Sequence, residues 1–440
     1  MADVKFLAVG VVGAGAMGLA AAYHALKAGH SVTVYEGDKV AGGMAAHFDF
    51  NGVSIERFYH FVCKPDRPLF ELMDELGIGD KMVWRQTSMA YFIEGKTYAW
   101  GDPISLLTFP KLGLIDKFRY GITAFWQTKR SNFDSLEKVS GKDWFLNTMG
   151  RKTYDLLWKR LLELKFFEYA DNVSAAWLAT RVKRIGNSRK SLLQEELGYI
   201  EGGSQTLVDA LVNRITALGG IIRLGDPVAE IVAEDGRVKG VSTRDQGLTA
   251  HDYVISTAPT PYIPDMVPAL PEAWKDKYRA INNIGVVCVL LKITKPVTKN
   301  FWLNINDQRI DIPGIVEFSN LRHLDQTIVY VPYYMPQTHP KFDQPAEFFE
   351  AETRSYIKLL NPEISDADII DIKVGRLRYA QPICEPGFLA KIPPVQTPIA
   401  GLQIADTCYY YPEDRGISES VRFAKDMVAT VPRGAVEAIV

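Results

Sequence analysis

The hydrophobic pattern near the N-terminus changes from strand periodicity to helix periodicity and back within a short stretch. Residues 9–12 form an apolar run, and apolar side chains recur at helical spacing over residues 16–27. Residues 31–36 then alternate between apolar and polar side chains, which is typical of a strand. Gly29 lies where the helix would end. The pattern predicts a strand–helix–strand unit.

Three glycines occupy the predicted turn between the first strand and the helix: Gly13, Gly15 and Gly18. In a dinucleotide-binding turn, glycines at this spacing permit the tight bend, let the backbone approach a pyrophosphate and let the helix pack against the strand. The first helical residues, Ala16 and Met17, would then direct unbonded N–H groups at the phosphates. We therefore predict that all five residues bind a nucleotide cofactor.

The second predicted strand ends with Tyr35 and Glu36, about 20 residues beyond the glycine turn. A carboxylate at this place can accept hydrogen bonds from the ribose hydroxyls of an adenosine, and it disfavours the extra phosphate of NADP by like charge. Both residues are therefore predicted to lie at the cofactor.

A second glycine pair, Gly42 and Gly43, stands shortly after Glu36 and directly before Met44. Together with the first glycines, this run resembles the N-terminus of the flavin-dependent amine oxidase superfamily. That superfamily includes protoporphyrinogen oxidases, carotenoid desaturases and, more distantly, UDP-galactopyranose mutases, and the chain resembles its protoporphyrinogen-oxidase-like branch. The resemblance implies FAD contacts at Gly42, Gly43 and Met44, although the superfamily usually has an Arg where this chain has Met44.

The C-terminal region resembles the closing motif of the same superfamily, through Gly-Leu-Gln-Ile-Ala-Asp at 401–406 and Tyr-Pro-Glu-Asp-Arg-Gly at 411–416. The resemblance implies that Asp406 contacts the ribityl or pyrophosphate part of FAD. It also implies that a helix beginning near Gly416 and Ile417 points at the flavin ring. Asp406 has an alternative role as a capping residue of its own loop.

Two further expectations concern the cofactor. The resemblance implies that the backbone of Val228 contacts the adenine. No Cys or His stands in a recognised attachment motif, so we expect non-covalent FAD.

The chain length of 440 residues predicts two domains in an α/β protein. The first is expected to be a discontinuous Rossmann-like FAD-binding domain of the glutathione-reductase type, made of residues 1–95, 198–260 and 396–440. A helical insertion at 96–197 and a mixed sheet at 261–395 are expected to form the substrate domain together. Amphipathic spacing over 143–164 predicts a helix within that insertion.

Few polar groups are required at the active site of a flavoenzyme, because the flavin performs the redox chemistry. We predict catalytic roles for Tyr59, His60 and Tyr410, because the superfamily chain passes near the flavin at these places. A structural role for His60 is the alternative. Lys292, on a predicted strand, is a weaker candidate for the lysine that holds water near the flavin in amine oxidases.

The substrate wall is expected to come from the predicted mixed sheet. Strands predicted at 286–293, 314–318 and 326–334 would form the floor of a cavity. The predicted substrate residues are Glu317, Asn320, Tyr333 and Arg378. For each of them, ordinary strand packing is the alternative.

Composition and charge exclude several function classes. A net charge of −2 gives no support for nucleic-acid binding. The four cysteines lie far apart without a C-x-x-C pair, which excludes a dithiol flavoenzyme and favours a reducing, cytoplasmic location. The seven histidines show no metal-ligand spacing, so we expect no metal site. The oligomeric state is left open.

A basic run follows the predicted helical insertion and comprises Arg181, Lys183, Arg184, Arg189 and Lys190. Such a run is usually a solvated face. The alternatives are peripheral docking on anionic lipid and binding of a phosphate-bearing substrate.

The sequence therefore predicts an FAD-dependent oxidoreductase that transfers hydride between flavin N5 and a large apolar or amphiphilic small-molecule substrate. The density of Phe, Trp and Leu in the helical insertion favours this substrate class. One alternative is a non-redox sugar mutase of the UDP-galactopyranose mutase type. Another is a catalytically inert flavin-binding protein.

Overall fold

A five-stranded parallel sheet organises the first half of the fold in the computed structural model, which describes residues 4–191, 193–432 and 434–435. Its strands lie in the order Ile221–Leu224, Ser31–Glu36, Ala8–Val12, Tyr253–Ser256 and Leu402–Ile404. Helix Ala16–Lys27 packs against Ser204–Ala217 and Ile417–Ala429. The predicted strand–helix–strand unit is therefore confirmed almost to the residue.

A seven-stranded mixed sheet, here called the large sheet, forms the second half. Its strands lie in the order Ile369–Pro382, Asn283–Ile293, Thr327–Pro336, Gly314–Glu317, Trp302–Asn306, Met89–Ile93 and Lys96–Trp100. Neighbouring strands are antiparallel except for the pair Trp302–Asn306 and Met89–Ile93, which is parallel. The predicted mixed sheet is confirmed.

The predicted boundary at residue 95 falls inside the hairpin of Met89–Ile93 and Lys96–Trp100. This hairpin belongs to the large sheet, because Met89–Ile93 pairs with Trp302–Asn306. We therefore propose that the substrate domain begins at Met89, and the other predicted boundaries stay proposals.

The helical insertion is broken into short segments: Pro103–Thr108, Leu114–Lys129, Gly141–Thr148, Arg151–Tyr154, Arg160–Phe166 and Ala175–Gly186. The predicted continuous helix over 143–164 is wrong. Gly150, at a φ of +89°, separates two of these helices, and a π-helical turn at Asp155–Lys159 separates the next two. Two strands, Arg189–Ser191 and Gln194–Ile200, close the insertion and pair with each other.

Smaller elements complete the described chain. The additional strands are Val4–Lys5, His47–Asp49, Ser54–Glu56, Met82–Gln86, Val228–Glu234, Arg237–Thr243, Gly247–Ala250 and Gly434–Ala435. The additional helices are Arg67–Glu75, Ile263–Met266, Glu272–Arg279, Ala346–Leu360 and Phe388–Lys391. No helix in the described part of the chain combines the length and apolar character needed to cross a membrane.

The large sheet buries different side chains on its two faces, because successive strand residues point in opposite directions. On strand Asn283–Ile293, Val287 and Val289 belong to one hydrophobic cluster, which includes residues of helix Ala346–Leu360. Val286 and Cys288 belong to the cluster that extends to the parallel sheet. The large sheet therefore has one face toward its own helix and one toward the rest of the molecule.

Gly18 is expected to be essential for the packing of the first helix. A Cβ at this position would lie 1.9 Å from the carbonyl oxygen of Gly13. Gly18→Ala should therefore lower the free energy of unfolding by about 1–3 kcal/mol, the usual cost of overpacking. Denaturant unfolding of the two proteins measures the difference.

Gly121→Ala is the matched control for this substitution. Its Cβ would meet its nearest neighbour, Leu106, at 3.4 Å, within helix Leu114–Lys129. Alanine has the higher helix propensity, so stability should hold or rise. Equal effects of the two substitutions would contradict the packing argument.

Candidate active site

A cavity of about 1530 Å³ lies between the parallel sheet, the large sheet and the helical insertion. It extends from the glycine turn at Gly13 and Gly15 to Tyr334 of the large sheet and to Phe125 of helix Leu114–Lys129. Its size exceeds that of most single-ligand pockets, which are roughly 300–1,000 Å³. The cavity therefore has room for a large cofactor and a substrate together.

The glycine turn forms one end of the cavity. The Gly13 N–H donates to the Tyr35 carbonyl over 2.8 Å, and the Gly42 N–H donates to the Ala14 carbonyl over 2.8 Å. Gly15 precedes the first helix, and no side chain in the described residues caps its N-terminus. A Cβ on Gly15 would meet no protein atom within 4 Å, and Gly15 lines the cavity. The helix N-terminus is thus open to an anionic ligand.

The Glu36 carboxylate is fixed beside this turn. Its Oε2 accepts a hydrogen bond from the Ala14 N–H at 2.8 Å, and its Oε1 accepts one from the Asp38 N–H at 2.9 Å. Each carboxylate oxygen retains a further acceptor site. Asp38 pairs with Arg57, whose hydrogen bond lowers the pKa of the Asp38 carboxyl, and both side chains line the cavity.

The C-terminal motif forms the neighbouring wall. Asp406 Oδ1 accepts from the Cys408 N–H at 2.8 Å, and Oδ2 accepts from the Thr260 N–H at 2.6 Å. Asp406 therefore caps its own turn while also lining the cavity. Gly416 and Ile417, at the start of helix Ile417–Ala429, line the cavity as well.

The other predicted cofactor residues occupy two kinds of position. Ala16, Met17, Gly43 and Met44 line the cavity. Gly18, Tyr35 and Val228 do not line it. Gly18 packs on the turn, and the buried Tyr35 hydroxyl bonds to His251 Nε2 at 2.7 Å. Val228 pairs with Thr243 at the start of an antiparallel hairpin. Direct ligand contacts of all these residues stay predictions.

The three predicted catalytic residues all line the cavity. Tyr59 packs edge-on against Trp302 and Tyr330, with ring centres 5.8 and 5.6 Å apart. His60 is uncharged near neutral pH, because burial lowers its pKa to about 4. Its Nδ1 is buried and has no hydrogen-bond partner within residues 4–191, 193–432 and 434–435.

The third of these residues, Tyr410, is engaged within the protein. Its hydroxyl donates to Ser420 Oγ at 2.9 Å, and it lies 3.4 Å from Met17 Sδ. Through these two contacts the Tyr410 hydroxyl links helix Ile417–Ala429 to helix Ala16–Lys27. Tyr410 is therefore less free than His60 to contact a ligand.

The predicted substrate residue Tyr333 faces the wrong side of the large sheet. Its hydroxyl bonds to Thr353 Oγ1 of helix Ala346–Leu360 at 2.8 Å. The next residue, Tyr334, lines the cavity instead. The predicted residue and the residue that lines the cavity are neighbours on the strand. Because successive side chains of a strand point to opposite faces, a difference of one residue places Tyr333 on the face away from the cavity.

Glu317, Asn320 and Arg378 also lie outside the cavity lining. Glu317 accepts a hydrogen bond from the Thr298 N–H at 2.7 Å, and burial raises the pKa of its carboxyl to about 8. Asn320 Nδ2 donates to the Thr298 carbonyl at 3.0 Å, and Arg378 pairs with Asp343 at the surface. These polar side chains satisfy local backbone or surface partners.

Lys292 likewise has a structural position. Its ammonium donates to the carbonyls of Phe50 at 3.3 Å and Asn51 at 2.8 Å, and it does not line the cavity. It is therefore not placed as the lysine of an amine oxidase site.

The three arginines of the predicted basic run are only partly exposed, whereas Lys190 is exposed. Arg181, Arg184, Arg189 and Lys190 line the cavity, whereas Lys183 does not. Arg184 makes two hydrogen bonds to the Asp66 carboxylate, at 3.1 and 2.7 Å. The interpretation of the whole run as a solvated face is therefore wrong.

The structure adds to the cavity wall a partly buried charged group that the sequence pattern did not predict. Asp414 lies beside Arg181, Lys165 and Arg415, all of which line the cavity. Burial favours the neutral form of Asp414, but these cations overcome it and lower the pKa of the carboxyl. One sequence pattern could have indicated that Arg181 lies on the cavity wall. Trp177, Arg181 and Ile185 are spaced four residues apart, which places the arginine on the same helix face as two apolar residues.

The remaining wall is mostly apolar and strongly aromatic. It includes Met89, Tyr91, Trp100, Leu106, Tyr120, Trp158, Leu161, Leu162, Phe166, Trp177, Leu178, Ile185, Val286, Leu290, Trp302, Val316 and Tyr334. Such a wall suits an extended apolar ligand.

Known proteins of similar sequence include carotenoid desaturases. The chain is 25% identical over 291 residues to 15-cis-phytoene desaturase of Synechococcus elongatus, covering 61% of this chain and 60% of that protein. It is 22% identical over 393 residues to the chloroplastic/chromoplastic 15-cis-phytoene desaturase of Solanum lycopersicum, covering 84% and 64%. The chain thus spans about three fifths of the length of these relatives.

Solved structures share the fold at low sequence identity. An oxidoreductase from Methanosarcina mazei has a TM-score of 0.75 at 17% identity, covering 96% of this chain and 100% of that chain. Reduced UDP-galactopyranose mutase has a TM-score of 0.74 at 15% identity, covering 97% and 93%. These likenesses confirm the predicted fold class.

The family described as flavin containing amine oxidoreductase matches residues 18–374, which is most of the chain. The match includes Gly18, the Gly42-Gly43 pair and nearly all of the large sheet. The superfamily predicted from the glycine and C-terminal motifs is thereby confirmed. The chain belongs to the flavin-containing amine oxidoreductase family.

Proposed function

We propose that the protein holds FAD non-covalently and oxidises a long apolar substrate of the polyene type by removing two hydrogens from adjacent carbons. The observation that carries this proposal is that one continuous cavity joins an open helix N-terminus to an aromatic wall. Bound flavin supplies the two-electron acceptor for such an oxidation.

The cavity fits the cofactor part of this proposal. Gly15 leaves open space where any side chain would project, and the unbonded helix N–H groups suit a pyrophosphate. Glu36 is held in place to accept ribose hydroxyls, and Gly416 and Ile417 present a second helix start. His60 Nδ1, which bonds to none of the residues that the structure describes, offers a hydrogen bond near the same cavity.

The wall fits an apolar substrate better than an amine. Arg181 and Arg415 place two guanidinium groups near one carboxylate, that of Asp414, so an ammonium substrate would be repelled. Large aromatic side chains exclude water and contact a hydrocarbon chain over its length. The names of the two desaturases support a polyene.

Flavin reduction under anaerobic conditions tests the substrate class. Oxidised holoenzyme mixed with 15-cis-phytoene in detergent should lose its oxidised-flavin absorbance, because substrate electrons have no other acceptor. Putrescine at the same concentration should leave the absorbance unchanged. Bleaching by putrescine alone would make the protein an amine oxidase. Turnover of UDP-galactopyranose after chemical reduction, without net redox change, would make it a mutase.

Gly15→Ala tests the cofactor site separately from the substrate. The backbone of Gly15 has a φ of −71°, which alanine adopts without strain, and the new methyl group would project into the cavity. We expect the melting temperature of the flavin-free protein to stay unchanged, while flavin affinity falls by about 1–3 kcal/mol through overpacking. Titration of the flavin-free protein with FAD measures this, and an unchanged dissociation constant would refute the proposed cradle.

We further propose that helix Leu114–Lys129 docks on a lipid surface. Its apolar side chains point outward, since Leu114, Phe118 and Trp126 are 79%, 70% and 61% exposed. Thr123 and Gln127, on the opposite face, are buried. This inverted arrangement is typical of helices that lie in a membrane interface.

Two features select a bilayer as the occupant of this face. Lys129, beside the ring of Phe125, and Lys190 are exposed cations that line the cavity, and anionic lipid attracts each by about 1 kcal/mol. Leu106, Tyr120 and Phe125 line the cavity too, so the cavity opens at this face. An apolar substrate could then pass from lipid into the protein.

Co-sedimentation with anionic vesicles tests the docking proposal. The double variant Phe118→Glu, Trp126→Glu should bind at least about tenfold more weakly, because each buried aromatic contributes roughly 1.5–3 kcal/mol. Leu248→Glu is the matched control, since Leu248 is also exposed but lies on the strand Gly247–Ala250. Equal vesicle binding by the double variant and the wild type would refute the proposal.

A further inference from the structure

Lys165 is a buried lysine on the cavity wall, near the end of helix Arg160–Phe166. Its side-chain nitrogen lies 5.0 Å from the ring centre of Tyr334, 5.3 Å from that of Trp177 and 5.4 Å from that of Phe166. Three aromatic rings from three separate elements therefore surround one amine.

This amine makes no hydrogen bond or ion pair with the residues that the structure describes. The nearby Asp414 carboxylate is engaged elsewhere, since Oδ2 accepts from Arg181 and Oδ1 accepts from Gln381 Nε2 at 3.2 Å. Arg415 donates to the Ala380 carbonyl. Lys165 thus stands beside a charge network without being bonded into it.

The surroundings favour the uncharged amine. Burial lowers the pKa of Lys165 well below that of an exposed lysine, and the positive charges of Arg181 and Arg415 lower it further. Asp414 and the Cys384 thiol act in the opposite direction but do not reverse the shift. Lys165 can therefore act as a proton acceptor on the aromatic part of the cavity wall.

We propose that Lys165 is a further catalytic residue, whose amine accepts the proton lost by the substrate during oxidation. The inference rests on the proposed function. Bound flavin would supply the two-electron acceptor that takes the hydride of one C–H bond, and the C–H bond on the adjacent carbon would break with its proton passing to Lys165 Nζ. The electrons of that second bond form the new C=C bond, and the ammonium later returns its proton to water.

The aromatic cage favours this proton transfer at the moment it occurs. Ring faces attract an ammonium by about 0.5–2 kcal/mol each when water is excluded. Tyr334, Trp177 and Phe166 would therefore stabilise the charge that arrives with the proton. They give the resting, uncharged amine no comparable stabilisation.

Competitive acetylation of the holoenzyme tests the charge state without any turnover. Trace acetic anhydride reacts only with uncharged amines, and peptide mass spectrometry follows each lysine from neutral to alkaline pH. Lys81 is the internal reference, because it is exposed and its bond to Glu201 raises its pKa. The midpoint for Lys165 should lie well below that for Lys81, because burial and the neighbouring charges of Arg181 and Arg415 lower its pKa. Coincident midpoints would overturn the inference.

Lys165→Met tests the proton transfer itself. The variant should retain flavin and KM for 15-cis-phytoene but lose about 10²–10⁴-fold in kcat, the usual contribution of a general base. Lys292→Met removes a buried lysine outside the cavity and should lower stability with kcat unchanged. In Lys165→Ala, added methylamine should restore part of the rate, increasingly as pH rises.

The outcomes separate this inference from the proposed function. If the wild type oxidises the polyene and Lys165→Met has the same kcat, the role of Lys165 is overturned and the proposed function stands. A lowered kcat that methylamine does not restore also overturns it, because a structural role would account for the loss. A wild type that oxidises no polyene overturns both proposals.

Discussion

The structure depends on the hydrogen-bonded turn that follows the first strand. The N–H groups of Gly13 and Ala14 bond to the Tyr35 carbonyl and the Glu36 carboxylate, so one turn fixes the first helix relative to two strands. Gly42 adds a bond to the Ala14 carbonyl. These bonds pair the backbone groups of the turn that face the protein. The N–H groups at the start of the first helix stay unbonded and can bind a ligand. Fold and cofactor site therefore arise from the same few contacts.

Strand alternation in the large sheet divides its side chains between two different tasks. Residues such as Val287 and Tyr333 pack against the covering helix, while Val286 and Tyr334 line the cavity. The sheet can thus supply an apolar wall without weakening its own core. The helical insertion supplies the opposite wall through Trp158, Phe166 and Trp177.

Local sequence signals predicted the parts of the fold whose causes are local. The first strand, the helix Ala16–Lys27 and the strand Ser31–Glu36 follow from periodicity and three glycines, and the structure has them. The prediction of the substrate-wall residues was wrong because tyrosines occur on both faces of strand Thr327–Pro336. Composition therefore does not reveal which face of the strand is toward the cavity. The sequence pattern does not reveal the ion pairs of Arg181 and Arg184, because their partners, Asp414 and Asp66, are distant in sequence.

The partly buried charges near Lys165 are better explained by chemistry than by stability. An ion pair that is withdrawn from water contributes little to folding, because desolvation of both groups offsets their attraction. Arg181 and Asp414 nevertheless pair inside the cavity, with Gln381 satisfying the second carboxylate oxygen. This arrangement compensates the negative charge of Asp414 and leaves Lys165 outside the hydrogen bonds of that carboxylate, so the amine stays available for a proton. A hydrocarbon passing from the mouth at Phe125 along the aromatic wall would meet this amine between the rings of Phe166, Trp177 and Tyr334.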